Sequence, residues 1–292
     1  MLPTPVAIGG ILLALLISGG IAIAGAHGGV DFLGLPLMIC CAILAFVVQW
    51  VVFIHSWLTR SERLYDLTGS FTFIIMVIAA LVIAGRYDLR SVLIAAAIVI
   101  WALRLGPFLF NRIAKAGEDR RFRTIKTSFP TFLMTWTMQG NWVFVTASAG
   151  VAAITSGIVA PAEWTLWAGL AIWAFGFAVE VISDNQKSRF NADPANEGQF
   201  IRSGLWSWSR HPNYFGEIVL WAGVAVMAFP ALIGNQVFTL IAPIFVMLQL
   251  TLISGVRMLE HRANREWGED PEYQAYKNAT PTLMLWPPRS PS

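Results

Sequence analysis

The chain has 292 residues, of which 56% are hydrophobic and 13% charged, with a formal net charge of +3. Soluble proteins carry about 25% charged residues, so this composition excludes an ordinary soluble globule, and the lack of a basic tract excludes nucleic acid as a partner. The apolar runs are long and unbroken, without the alternation of a barrel strand, and in lipid each backbone polar group must be bonded within its own segment. The expected fold is all-α, a polytopic integral membrane helix bundle of seven to eight spans with cytoplasmic cofactor-binding loops and C-terminal tail.

In chain order, eight runs are long enough to span: 5–26, 35–57, 66–84, 90–110, 130–155, 162–182, 215–233 and 236–256. The first lacks a basic leader and a small-residue cleavage site, so it reads as a retained helix. Cys40 and Cys41 are adjacent inside the second run and read as small packing residues. The last two runs are separated only by "FPALIGNQ", Phe229 to Gln236, which predicts a helical hairpin. No internal repeat of the kind common in transporters is present.

Lysine and arginine set the expected orientation. The loop "NRIAKAGEDRRFRTIK" holds Arg112, Lys115, Arg120, Arg121, Arg123 and Lys126. Arg60 and Arg63, the segment after the sixth run, and the tail with Arg257, Arg262 and Arg265 fall on the same side when eight spans are counted. That side is expected to be cytoplasmic and to carry both termini, in a bacterial inner membrane or an endoplasmic reticulum. Arg86 and Arg90 are the exception, lying in a loop on the opposite side.

Polar side chains gather at the ends of the spans. Glu180 and Asp184 are four residues apart, as are Asn213 and Glu217 in "SWSRHPNYFGE", so each pair shares a helix face. Ionisable residues at such depths point to function. Arg189, Arg202 and Arg210 lie between them, and the planar guanidinium fork suits a phosphate. In the tail, Glu260, His261, Asn264 and Arg265 fall on about one helical turn, followed by Tyr273 and Tyr276. Interfacial anchoring and an amphipathic surface helix are the plain alternatives for the arginines and the tail. In "SERLYDLTGSF", Tyr65 and Asp66 open the third run, where an aspartate also suits a helix N-terminus. Trp101 and Arg104 lie in the fourth run. The four histidines are scattered, no zinc spacing occurs, and no glycine fingerprint for a dinucleotide is present.

The segment "GLWSWSRHPNYFGE", followed by a hairpin and by "EYQAYKNATPTLMLWPP", resembles two groups of membrane enzymes. One comprises the NADPH-dependent steroid 5α-reductases and sterol reductases. The other comprises the isoprenylcysteine carboxyl methyltransferases, which use S-adenosylmethionine. "EVISDNQKSRF", "LYDLTGSF" and "EHRANREWGEDPEY" resemble the reductases more closely. The likeness runs from about residue 60 to 288 and implies N-terminal transmembrane helices over 1–58 and a reductase-like catalytic domain over 59–292.

The reductase resemblance implies hydride transfer from NADPH to the C=C bond of an apolar steroid-like or isoprenoid enone. It implies Asp66, Tyr65 and Trp101 at the substrate. It implies Glu180, Asp184, Arg189, Arg202, Arg210, His211, Asn213, Glu217, His261 and Asn264 around the cofactor. Asp66 and Tyr65 stand where the steroid reductases have Glu and Gln, Trp101 stands at the position of a substrate-facing Tyr, and Asn264 replaces a Tyr. A protonated Asp66 would stabilise the charge that develops on the substrate oxygen. The resemblance implies membrane lipid as surroundings and no obligate protein partner. The methyltransferase is the alternative; it needs no acid at Asp66 and fewer phosphate-binding arginines.

Overall fold

The computed structural model describes residues 2–119, 121–253 and 255–287, with the side chains of 115 and 116 excepted. Arg120 and the Lys115 side chain, both from the basic loop, lie outside the described residues. Seven helices are long and apolar enough to cross a membrane: Thr4–Gly25, Leu37–Thr59, Tyr65–Ile83, Leu89–Ala114, Trp164–Ala192, Pro212–Ala231 and Gly234–Trp267. With a single two-residue strand pair, Asp31–Phe32 with Leu35–Pro36, among the described residues, this is an all-α integral multi-pass membrane protein. The chain divides into two compact units, Met1–Trp167 with Val224–Ala242, and Ala168–Gly223 with Pro243–Ser292.

In the first unit, helices α1 (Thr4–Gly25), α2 (Leu37–Thr59), α3 (Tyr65–Ile83) and α4 (Leu89–Ala116) pack around α6 (Phe129–Thr155), with the short α5 (Phe122–Ile125) before it. α6 is the expected fifth run, yet it is not among the seven most apolar helices. Its polar residues face other helices: every residue from Val143 to Thr155 is buried, and Asn141 accepts a 2.9 Å bond from Ser18. Trp50 donates to Thr137 at 3.1 Å, and Gln49 to Thr72 at 2.9 Å. Such interhelical bonds contribute about 0.6 kcal/mol each within a bilayer. The hairpin expected at Phe229–Gln236 forms through two 3₁₀ segments, Phe229–Ala231 and Gly234–Ile241. Gln236 is fully buried there; it accepts from Ile233 N and donates to the Gly25 carbonyl at 3.1 Å.

The two arginines that broke the charge pattern are internal. Arg86 donates to the Ser156 carbonyl. Arg90, 2% exposed, donates to the carbonyls of Met227 and Pro161, each at 2.5 Å. Both guanidinium groups are bonded to backbone carbonyls of other segments. In the basic loop, Arg121 pairs with Asp119, Arg123 with Glu118, and Lys126 with the buried Glu62 at 2.7 Å. Burial alone would raise the Asp119 pKa, but the Arg121 hydrogen bonds and charge outweigh it and hold the carboxyl below the usual range.

The second unit holds α7 (Trp164–Ala192, from Ala168 onward), α8 (Pro212–Ala228, as far as Gly223), α9 (Ala242–Leu248, from Pro243 onward), α10 (Val256–Trp267) and α11 (Pro271–Ala279). α7 and α8 cross with their backbones touching. A Cβ on Gly216 would lie 2.6 Å from the Glu180 nitrogen and 2.6 Å from the Gly176 oxygen. Gly216→Ala must therefore push two backbones apart, which costs about 1–3 kcal/mol. The expected result is a melting midpoint several degrees lower in detergent. Gly19→Ala, where an added methyl meets nothing within 4 Å, is expected to melt as the wild type does. Equal midpoints for the two variants would refute the close crossing.

Candidate functional site

The segment between α7 and α8 is pinned back onto α7. Trp206 donates its indole N–H to the Ser183 carbonyl at 3.0 Å, and Leu205 N donates to Gln186 Oε1 at 3.0 Å. Gly204 carries φ +61°, and a Cβ there would collide with Gln186. α10 and α11 fold against this segment: Trp267 donates to the Gly198 carbonyl at 2.8 Å and Tyr276 to the Trp206 carbonyl at 2.6 Å. Asp270 caps α11 by accepting from Glu272 N at 2.8 Å.

These elements enclose a cavity of about 690 Å³. One wall is aromatic: Phe200 lies 5.2 Å from Tyr273, 5.5 Å from Tyr276 and 5.8 Å from Trp267, measured between ring centroids. The lining also holds a charged cluster. Glu260 accepts from His211 Nε2 at 2.8 Å and pairs with Arg210 at 2.8 Å. Since a carboxylate only accepts, the neutral imidazole carries its proton on Nε2, and His211 Nδ1 is left as a buried acceptor with no partner among the described residues. Burial lowers the His211 pKa, and the Glu260 hydrogen bond and charge oppose that only in part. Burial also raises the pKa of Tyr276 above its ordinary value.

The cavity lining includes three cations, Lys187, Arg210 and Arg262, and four carboxylates, Asp193, Glu197, Glu260 and Glu266. Arg210 is held by Glu260, Arg262 lies 3.8 Å from Glu266, and Lys187 sits over the Trp206 ring at 4.4 Å. The wall is therefore acidic overall, with four carboxylates to three cations, and Arg210 Nε is buried without a hydrogen-bond partner among the described residues.

The expected cofactor residues divide into three sets. Arg210 and His211 line the cavity. Glu180, Asp184, Asn213 and Glu217 collect instead at the α7–α8 crossing, where Asn213 donates to Asp184 at 3.2 Å and the three carboxylates are buried. Arg189 and Arg202 are exposed and do not line the cavity; Arg202 pairs with Glu272 at 2.7 Å. His261 and Asn264 lie outside it as well; both are exposed, and Asn264 accepts from Lys277 at 2.8 Å. The tail instead brings Glu260, with Arg262, Glu266, Tyr273 and Tyr276, to the cavity. Glu260 shares a face with Ala263 and Trp267, a spacing of three and seven residues. That periodicity was readable from the sequence; the Phe200 wall, supplied by a loop, was not.

The substrate-side residues belong to the first unit. Tyr65 donates its hydroxyl to the Thr135 carbonyl at 3.1 Å and packs edge-on against Phe122 and Trp136. Asp66 Oδ2 is buried with no hydrogen-bond partner among the described residues. Trp101 is 1% exposed and meets Phe73 edge-on with ring centroids 5.1 Å apart.

The chain is similar to the probable O-methyltransferase ustE of Ustilaginoidea virens, with 28% identity over 97 residues. That match spans 33% of this chain and 34% of the relative, so the two share about a third of their lengths. No solved structure matches. The sequence model of DUF1295, described as a protein of unknown function, matches residues 52–280, and the chain belongs to that family.

Proposed function

We propose that this protein is an S-adenosylmethionine-dependent membrane methyltransferase whose cofactor occupies the cavity between the α7–α8 segment and the helices α10 and α11. The observation that carries this reading is the charge of the wall. NADPH brings a pyrophosphate and a further phosphate, all anionic, and calls for unpaired cations. S-adenosylmethionine brings a sulfonium and an ammonium against a single carboxylate. Four carboxylates against three cations suit the second ligand better than the first. Two further features fit. Aromatic faces such as Phe200 and Tyr276 attract a sulfonium as they do a quaternary ammonium. The orphaned acceptor on His211 calls for a donor. Glu260 and Glu266 would hold the positive groups and Lys187 the carboxylate. The similarity to a probable O-methyltransferase supports the same reading.

When bound, the cofactor supplies an electrophilic methyl group. The chain's own residues bind and orient it, and the aromatic wall excludes water from one side. This reading puts both termini and the cavity-bearing loops on the cytoplasmic side, where a soluble cofactor is available, and the basic segments support it.

A second reading, reduction of an apolar enone by NADPH, is favoured by Asp66. A buried carboxyl oxygen without a donor is costly unless it carries a proton or meets a ligand, and a protonated acid is what an enone oxygen requires. One experiment separates the two. Full-length protein in mild detergent is titrated with S-adenosylmethionine and with NADPH, and thermal midpoint and calorimetric affinity are read. Stabilisation by S-adenosylmethionine alone is expected. A response to NADPH alone would replace the first reading with the second.

A further inference from the structure

The chain beyond α11 turns back and runs beside the segment that carries Arg210. Arg210 N donates to the Pro281 carbonyl at 2.9 Å, and Trp286 N donates to the Trp208 carbonyl at 3.1 Å. Between them, Ser209 Oγ donates to the Leu283 carbonyl at 2.9 Å. Thr280, where the strap begins, is 4% exposed. Within this ladder one bond joins two side chains: Arg210 Nη2 donates to Thr282 Oγ1 at 2.5 Å. The other arm of the same guanidinium pairs with Glu260, which in turn accepts from His211. A hydroxyl on the strap thus fixes a guanidinium that fixes a carboxylate that sets the tautomer of a cavity histidine.

We propose that the strap over residues 280–286 is part of the cofactor site and that Thr282 is a positioning residue, acting on the cavity through Arg210 and Glu260. Thr282 and the rest of the strap after residue 280 lie past the residues matched by the family model, and Thr282 does not line the cavity. The physical reason for the arrangement is the geometry of arginine. Its planar fork holds a carboxylate in one orientation only when its other arm is also tied. Without the hydroxyl, the guanidinium turns about its long side chain and its hold on Glu260 loosens.

The inference rests on the reading of the cavity as a cofactor site, but one arm of its test does not. Three full-length proteins are compared: wild type, Thr282→Val and Thr282→Ser. Valine keeps the volume and removes the hydroxyl; serine keeps the hydroxyl. The first measurement is titration of selectively labelled histidines by NMR without any ligand. The charged groups facing His211 are Glu260 from α10, Lys187 from α7 and Arg210 from its own segment. Loosening Arg210 from Glu260 leaves more of the carboxylate's charge to His211, so the His211 titration is expected to move upward in Thr282→Val and to return in Thr282→Ser.

The second measurement is S-adenosylmethionine affinity, expected to weaken about tenfold in the valine variant and to recover within about twofold with serine, while the ligand-free melting midpoint falls only by the few degrees that one charged hydrogen bond contributes. An unmoved His211 titration in Thr282→Val overturns the proposal whatever ligand the cavity takes. So does a serine variant that behaves like the valine one, or a ligand-free midpoint that falls well beyond those few degrees. Wild-type protein that shows the titration shift on mutation but binds no S-adenosylmethionine overturns the cofactor assignment and leaves the positioning role of Thr282 standing.

Discussion

Replacing Arg90 by leucine is expected to lower stability by about 4 kcal/mol, more than the loss of any single neutral hydrogen bond between the helices. Two bonds of 2.5 Å run from the guanidinium to the Met227 and Pro161 carbonyls, and a third of 3.3 Å reaches Thr165. Hydrogen bonds from a charged donor contribute about 1.5–3 kcal/mol each, and their loss leaves two buried carbonyls without a donor. For a chain of this length each kcal/mol moves the melting midpoint by about 2–4 °C, so the leucine variant should melt roughly 10 °C or more below wild type in detergent. Arg90→Lys keeps the charge but cannot span two carbonyls with a rigid fork, and should fall between them. A leucine variant within about 1–2 °C of wild type, on the scale of that same relation, would mean that the three bonds are not formed.

Glu260→Gln is expected to have the largest effect on the cavity. The carboxylate binds two partners at once, and a neutral amide leaves Arg210, with only 11% of its side chain exposed, without its counter-charge. Affinity for S-adenosylmethionine should fall about a hundredfold, since both a ligand for its positive groups and the orientation of His211 are lost.

The same variant should change the response to pH. His211 has a folded-state pKa below its ordinary value of 6.5, with burial as the main cause. The unfolded chain therefore takes up a proton more readily than the folded one. Stability from this group is present above the ordinary histidine value and is lost as pH falls through it. Glu260 supports the imidazolium and softens that loss. In Glu260→Gln the acid side of the stability curve should drop more steeply below about pH 6.5, read as melting midpoint against pH. An acid limb identical to wild type would show that the His211–Glu260 contact is absent in solution.

The helices themselves were legible because lipid leaves few choices. A run of about twenty apolar residues must satisfy its backbone bonds internally, and composition states that without any tertiary information. α6 is the instructive case. Its length matched a span, but Gln139, Asn141 and its threonines make it less apolar than the seven. Only the packing of α1, α2, α3 and α4 around it explains why those side chains are tolerated. Arg90 teaches the reverse. By charge counting it is a loop residue in the wrong place; in three dimensions it is a buried clamp whose partners lie 71 and 137 residues further along the chain.

The site was half legible for a related reason. Residue type and local spacing marked "SRHPNY" and the tail as chemically unusual, and Arg210 and His211 do line the cavity. Spacing could not say which polar residues face each other. Along α10 a rotation of one residue separates Glu260, turned to the cavity, from His261, which is exposed. Along α7, Glu180 and Asp184 meet α8 rather than the cavity because two glycines let the helix backbones touch there. Apolar length, charge content and the polar motifs are local quantities, and they alone dictated an all-α membrane protein and marked "SRHPNY" and the tail as its unusual polar segments. The acidic balance of the cavity wall, the His211 tautomer and the tie between Thr282 and Arg210 arise from pairs 49 and 72 residues apart. Such pairs are set by how helices cross and where loops return, and a one-dimensional pattern carries no distance between them.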